Sequence, residues 1–101
     1  MFGDMEEKQK MLKVKLAEIM VDAESGDGAI KVRANANREL VNISIDPSII
    51  DPEDSEQLED LLLVAINRVI QLAGEKEAEE AQKLIQDMLP PGLGGLSDLF
   101  Q

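Results

Sequence analysis

Val21-Asp22-Ala23-Glu24-Ser25-Gly26-Asp27-Gly28-Ala29-Ile30-Lys31-Val32-Arg33-Ala34-Asn35-Ala36-Asn37-Arg38-Glu39-Leu40-Val41-Asn42-Ile43-Ser44-Ile45-Asp46 alternates apolar and polar residues with a period of two. Alternation of this kind places one set of side chains on each face of an extended strand. Two breaks interrupt it, Gly26-Asp27-Gly28 and Asn35-Ala36-Asn37-Arg38, and both have turn compositions. A three-stranded antiparallel meander follows. In the first hairpin, setting Val21 opposite Val32 and Ala23 opposite Ile30 also sets Asp22 opposite Lys31 and leaves Gly26-Asp27 as a two-residue loop. In the second, Val32 meets Ile43, Ala34 meets Val41 and Arg33 meets Asn42. Both registers gather the apolar residues on one face, and a one-residue slip would scatter them.

On either side of this stretch the period lengthens from two to 3.6. Residues 4–20 read as a helix whose seam is Met5, Gln9, Leu12, Leu16 and Ile19. Lys8 and Lys15 take one edge of that seam, Lys13 takes the other, and Lys10 lies just outside it. Downstream, Asp46-Pro47 ends the third strand. Asp51-Pro52-Glu53-Asp54 starts a second helix, with Asp51 as N-cap and Pro52 in the first helical position. This helix extends to about Met88. Its first half is apolar over a wide arc from Leu58 to Ala73, and its second half carries a narrower stripe of Ala81, Leu84, Ile85 and Met88. Gly74 stands between the two, so a bend there, or two halves with different packing partners, is expected. The reading is α+β, in the order α-β-β-β-α, with one domain over residues 1–88. Residues 89–101 form a Gly/Pro-rich apolar tail that cannot continue the helix and is expected to be dispensable for folding.

Composition narrows what such a fold can do. The 101 residues include no cysteine and no histidine. Disulfides, thiolate and imidazole metal sites, and Ser-His or Cys-His catalysis are therefore excluded. No enzymatic activity and no cofactor are expected. The acidic run Asp51, Glu53, Asp54, Glu56, Glu59 and Asp60 lacks calcium-loop spacing and reads as a helix cap and a solvated face, not a metal site. Gly26-Asp27-Gly28 lacks the lysine and strand-to-helix setting of a phosphate loop and reads as a hairpin turn. There is no membrane-length apolar run, and the first residues are too polar for a secretory leader, so a soluble cytoplasmic protein is expected. Aromatic residues are limited to Phe2 and Phe100. An aliphatic core in so short a chain is thin, and the Leu58–Ala73 arc exceeds what one helix and three short strands can cover. Homodimerisation is the expected remedy.

The net charge of −11 is unevenly spread. Residues 51–87 carry eleven acids against Arg68, Lys76 and Lys83, whereas in residues 1–19 Lys8, Lys10, Lys13 and Lys15 balance Asp4, Glu6, Glu7 and Glu18. As a whole the chain repels a polyanion, so any DNA contact must be local, and these four lysines are the one dense cation cluster. Two readings of them stand side by side. They flank the seam and pair with the acidic second helix, the reading that sequence physics favours, or they contact DNA phosphates.

A set of short motifs occurs in a definite order: Met1-Phe2-Gly3, Ser25-Gly26-Asp27-Gly28, Asn37-Arg38-Glu39-Leu40, Ile45-Asp46-Pro47, Asp51-Pro52-Glu53-Asp54 with Leu58-Glu59-Asp60-Leu61, and Leu89-Pro90-Pro91-Gly92. Together they resemble the YbaB/EbfC family of bacterial nucleoid-associated proteins over essentially the full chain. The resemblance implies a homodimer with protruding helices. It also implies binding to double-stranded DNA with little sequence dependence, and a role in nucleoid organisation and gene regulation. On this chain it directs attention to Lys8, Lys10, Lys13 and Lys15 as the DNA-binding residues. A dimeric adaptor remains the alternative, binding another protein through Leu93, Leu96, Leu99 and Phe100 of the tail, with DNA incidental.

Overall fold

The computed structural model describes the backbone of residues 2–88 and the side chains of 5–87. The tail, with Leu93, Leu96, Leu99 and Phe100, lies outside the described residues. The element order is α1 (Phe2–Glu18), β1 (Met20–Ser25), β2 (Ile30–Asn35), β3 (Leu40–Ile45), a single 3-10 turn over Pro47–Ile49, and α2 (Ser55–Met88). The three strands form one antiparallel sheet in the order β1-β2-β3. This is the expected α-β-β-β-α arrangement. No helix among the described residues is long and apolar enough to cross a membrane.

The apolar faces are as expected, but the first register is not. Val21 pairs with Ala34, Ala23 with Val32 and Ser25 with Ile30, two residues away from the expected alignment. A two-residue slip preserves which face each side chain takes, so the alternation could not detect it. Three local interactions select the observed register. Asp22 now faces Arg33, which donates to it through Nε at 2.8 Å, in place of Lys31. Ser25 Oγ, buried at the end of β1, donates to the carbonyl of Leu61 on α2 at 2.6 Å. The loop lengthens to Gly26–Ala29, closed by Ala29 N–H on Gly26 O at 3.1 Å, with Gly26 and Asp27 both at positive φ. Gly26 is constrained twice over, since its φ is +61° and a Cβ there would lie 3.2 Å from Leu61 Cδ1.

The second hairpin follows the expected pairs Val32–Ile43 and Arg33–Asn42. Beyond them the register shifts, so that Leu40, not Val41, stands opposite Ala34. The extra residue in β3 is a bulge at the end of the hairpin, next to the Asn35–Arg38 turn. The start of the second helix also differs. Asp51 caps only a turn, accepting from Glu53 N–H at 2.9 Å, and Asp54 accepts from Gln57 N–H at 3.3 Å to begin α2 three residues later. Both aspartates have capping chemistry, and the sequence pattern alone credited the first one.

The core is aliphatic. Ile30, Val32 and Ala34 of β2 are buried against Ala65 and Val69 of α2, with Val21, Ala23, Ile45, Ile49, Leu58, Leu61, Leu62 and Ile66 packed around them. Alanines at 34 and 65 let the helix lie close to the sheet. The contacts of α2 fall on β1 and β2, so β3 is left uncovered, and Ile43 is 45% exposed although its partner Val32 is buried. Strands of six residues span about 20 Å, whereas a 34-residue helix is about 51 Å long. The C-terminal half of α2 therefore runs past the sheet, and α1 packs beside it. No break occurs at Gly74, and α2 is one uninterrupted helix whose two halves have different partners.

These faces carry a direct test. Ile30→Ala should cost about 2–5 kcal/mol in denaturant unfolding, as expected for a fully buried aliphatic side chain. Lys31→Ala, one residue along on the exposed face, should change stability by less than about 0.5 kcal/mol.

Candidate nucleic-acid interface

The cations of α1 are presented by a helix whose last turn is closed from elsewhere in the chain. A helix leaves its final carbonyls unsatisfied, and α1 passes into β1 with no capping glycine. The β2–β3 turn supplies the missing donors. Ala36 N–H is shared between the carbonyls of Leu16 and Ile19 at 3.0 and 2.9 Å, and Asn37 Nδ2 donates to Lys13 O at 2.9 Å. Asn35 shapes that turn. It is buried, its Oδ1 accepts from the N–H groups of Asn37 and Glu39, and its Nδ2 donates to Glu39 Oε1. Arg38 takes the positive φ that closes the turn and reaches Glu77 of α2 at 3.3 Å.

With its end held this way, α1 lies antiparallel beside the C-terminal half of α2. Of its seam, Leu16 is buried to 3% exposure, Leu12 and Ile19 are half-buried, and Met5 is exposed. The four lysines divide as the helical spacing indicates. Lys8 and Lys15 line a groove between α1 and α2, with Met11, Leu12, Glu80, Lys83, Leu84 and Asp87. Lys13 lines a separate hollow with Gln9, Asn37, Glu39 and Glu77, and Lys10 borders neither.

The structure separates Lys15 from the other three. Its Nζ lies 3.0 Å from Oε2 of Glu80, which is only 5% exposed and is the one buried charged side chain among the described residues. Lys83, one turn along α2, reaches the other oxygen, Oε1, at 3.3 Å. Pairing with Lys15, helped by Lys83 and opposed by burial, holds the Glu80 carboxyl below the usual glutamate range. Glu80 in turn raises Lys83. Lys15 is therefore paired with the acidic helix, although its side chain stays largely exposed. Among the described residues Lys8, Lys10 and Lys13 form no ion pair. Sequence reading missed Glu80 and Lys83. The Glu79-Glu80-Lys83 spacing marks a helical ion pair, but nothing in it says which acid faces α1.

Glu80 sets the pH behaviour of this contact. Because its pKa is depressed in the fold, the pairing contributes stability above the ordinary glutamate range and loses it as pH falls through the lowered value. As pH falls below the ordinary glutamate range, amide exchange in α1 should quicken before exchange in the sheet does. Lys15→Met, which strips Glu80 of one of its two cations, should lower Tm by several degrees at neutral pH, whereas Lys8→Met should leave it unchanged.

Comparison with known proteins fits this architecture. The chain matches the YbaB/EbfC DNA-binding family over residues 1–88. It is 43% identical over 81 residues to a nucleoid-associated protein of Moorella thermoacetica, covering 80% of this chain and 78% of the relative. It is 38% identical over 100 residues to a nucleoid-associated protein of Chloroflexus aurantiacus, covering 99% and 92%. A crystal structure of an uncharacterized protein from Helicobacter pylori superposes with a TM-score of 0.72 at 26% identity, covering 83% of this chain and 88% of that one. The family match over residues 1–88, together with these sequence identities, makes this chain a member of the YbaB/EbfC DNA-binding family.

Proposed function

We propose that the chain acts in the nucleoid, in the cytoplasm, as a homodimer that binds double-stranded DNA with little sequence dependence and so affects nucleoid organisation and gene regulation. The observation that carries the DNA reading is the exposed lysine set on α1, a helix anchored at its C-terminal end and bearing a balanced charge in an otherwise strongly acidic chain. Lys8, Lys10 and Lys13 make the phosphate contacts, and Lys15 mainly holds the helix against Glu80. No face of α1 collects the Asn, Gln and Arg side chains that read base edges, so affinity is electrostatic and sequence-tolerant.

The uncovered apolar strip supports dimerisation. Leu40 and Ile43 on β3 share the buried face of the sheet yet remain exposed, and Leu63 and Ile70, seven residues apart on one face of α2, are exposed as well. A two-fold copy laid over this strip would bury it against itself. It would also bring two α1 helices into one particle, giving six phosphate-contacting lysines.

Sedimentation equilibrium at micromolar concentration should give twice the 11.1 kDa chain mass, and Ile43→Asp should shift it toward the monomer. In a salt titration, six contacts predict a log–log slope of about −5, against about −7 if the two copies of Lys15 also take part. Lys10→Glu with Lys13→Glu should nearly abolish binding at unchanged circular dichroism. Retained affinity in that variant would refute the assignment of these lysines.

A further inference from the structure

The groove between α1 and the C-terminal half of α2 is not explained by DNA binding. Its floor is Met11, Leu12 and Leu84, and Met11 is 68% exposed. Lys8, Lys15, Lys83 and Asp87 form its rim, and its volume is about 400 Å³. A phosphate backbone gains nothing from an apolar floor, and the proposed two-fold strip, Leu40, Ile43, Leu63 and Ile70, lies on a different part of the molecule. We propose that this groove seats the same chain's own residues 93–101, which clamp α1 onto α2.

Position is the first argument. Asp87 lines the groove and α2 ends at Met88, so residues 93–101 are joined to the groove's edge by a link of only four residues, 89–92. That link contains Pro90-Pro91-Gly92, a composition that disfavours helix and favours a turn. The residues beyond it can reach about 30 Å, well past the roughly 10 Å that separates Lys8 from Lys15 along α1. Chemistry is the second argument. Leu93, Leu96, Leu99 and Phe100 match the apolar lining, and the one charged side chain, Asp98, is negative against a lining of three lysines, Glu80 and Asp87, in which Lys15 and Lys83 pair with Glu80 and Lys8 has no ion pair among the described residues. Energetics is the third. A segment joined through so short a link is held at millimolar effective concentration, so a contact too weak to hold a free peptide is enough to hold the tail. The inference is independent of whether the protein binds DNA.

The absence of cysteine makes the test clean. Leu84→Cys with Phe100→Cys, in the full chain under mild oxidation, should form a disulfide within one chain, seen as a monomer of altered mobility on a non-reducing gel. Glu56→Cys with Phe100→Cys, with the first cysteine at the far end of α2, should stay reduced. Equal oxidation of both pairs, or a disulfide formed only between chains, overturns the proposal. As a second measurement without cysteines, Leu96→Ser with Phe100→Ser in the full chain should speed amide exchange in α1 about tenfold and leave the sheet unchanged. Unchanged exchange in α1 likewise overturns it.

Discussion

The carbonyls at the end of α1 need donors, and the β2–β3 turn provides them. This single constraint organises the functional end of the molecule. Asn35 is buried because its amide spans the turn, and the turn then offers Ala36 N–H and Asn37 Nδ2 to a helix that precedes it by some twenty residues. Once Leu16 and Lys13 are held there, α1 has one direction available, alongside the overhanging half of α2. Lys15 is then brought to Glu80, and Lys8, Lys10 and Lys13 are left facing outward. A helix with so few buried apolar residues would not stay docked through packing alone.

Charge is placed along the long axis in a way that reconciles an acidic protein with an anionic ligand. The acids from Asp51 to Asp60 lie at the start of α2, and Glu80 lies about 30 Å beyond the last of them, more than three Debye lengths at physiological salt. The surroundings of α1 are therefore screened from that cluster. On α1 itself Glu6, Glu7 and Glu18 offset the lysines in number. Across on α2, Glu80 is buried and held between two lysines, and Glu77 is paired with Arg38. Part of the negative charge that α2 brings beside α1 is thus paired within the protein.

Element types, strand order and face assignment were legible in the sequence because each depends on local periodicity. The β1–β2 register was not legible. It was decided by Ser25 reaching Leu61 and by Arg33 reaching Asp22, and alternation is blind to a shift of two. The start of α2 was misplaced because Asp51 and Asp54 offer the same capping oxygen, and only the tertiary path selects the second. The seam of α1 was read correctly at Leu16 and only partly at Met5, which stays exposed. For the site, helical spacing placed each lysine on its edge, but the partner of Lys15 depends on an antiparallel helix alignment that no local pattern encodes.

The aliphatic composition accounts for the surfaces that remain open. Without aromatic side chains to fill space, the core closes on small and branched residues, and α2 settles over β1 and β2 at the distance that Ala34 and Ala65 permit. A single helix at that distance cannot also cover all of β3, so Leu40 and Ile43 stay exposed, as do Leu63 and Ile70 on α2. The overhang of α2 beyond the sheet leaves a second opening, rimmed by charge, against α1. The two openings differ in kind. The first is a set of exposed apolar side chains on β3 and α2, which suits an identical copy related by a two-fold axis. The second is a narrow groove with charged margins at the point where the chain leaves α2, which suits a short segment tethered there.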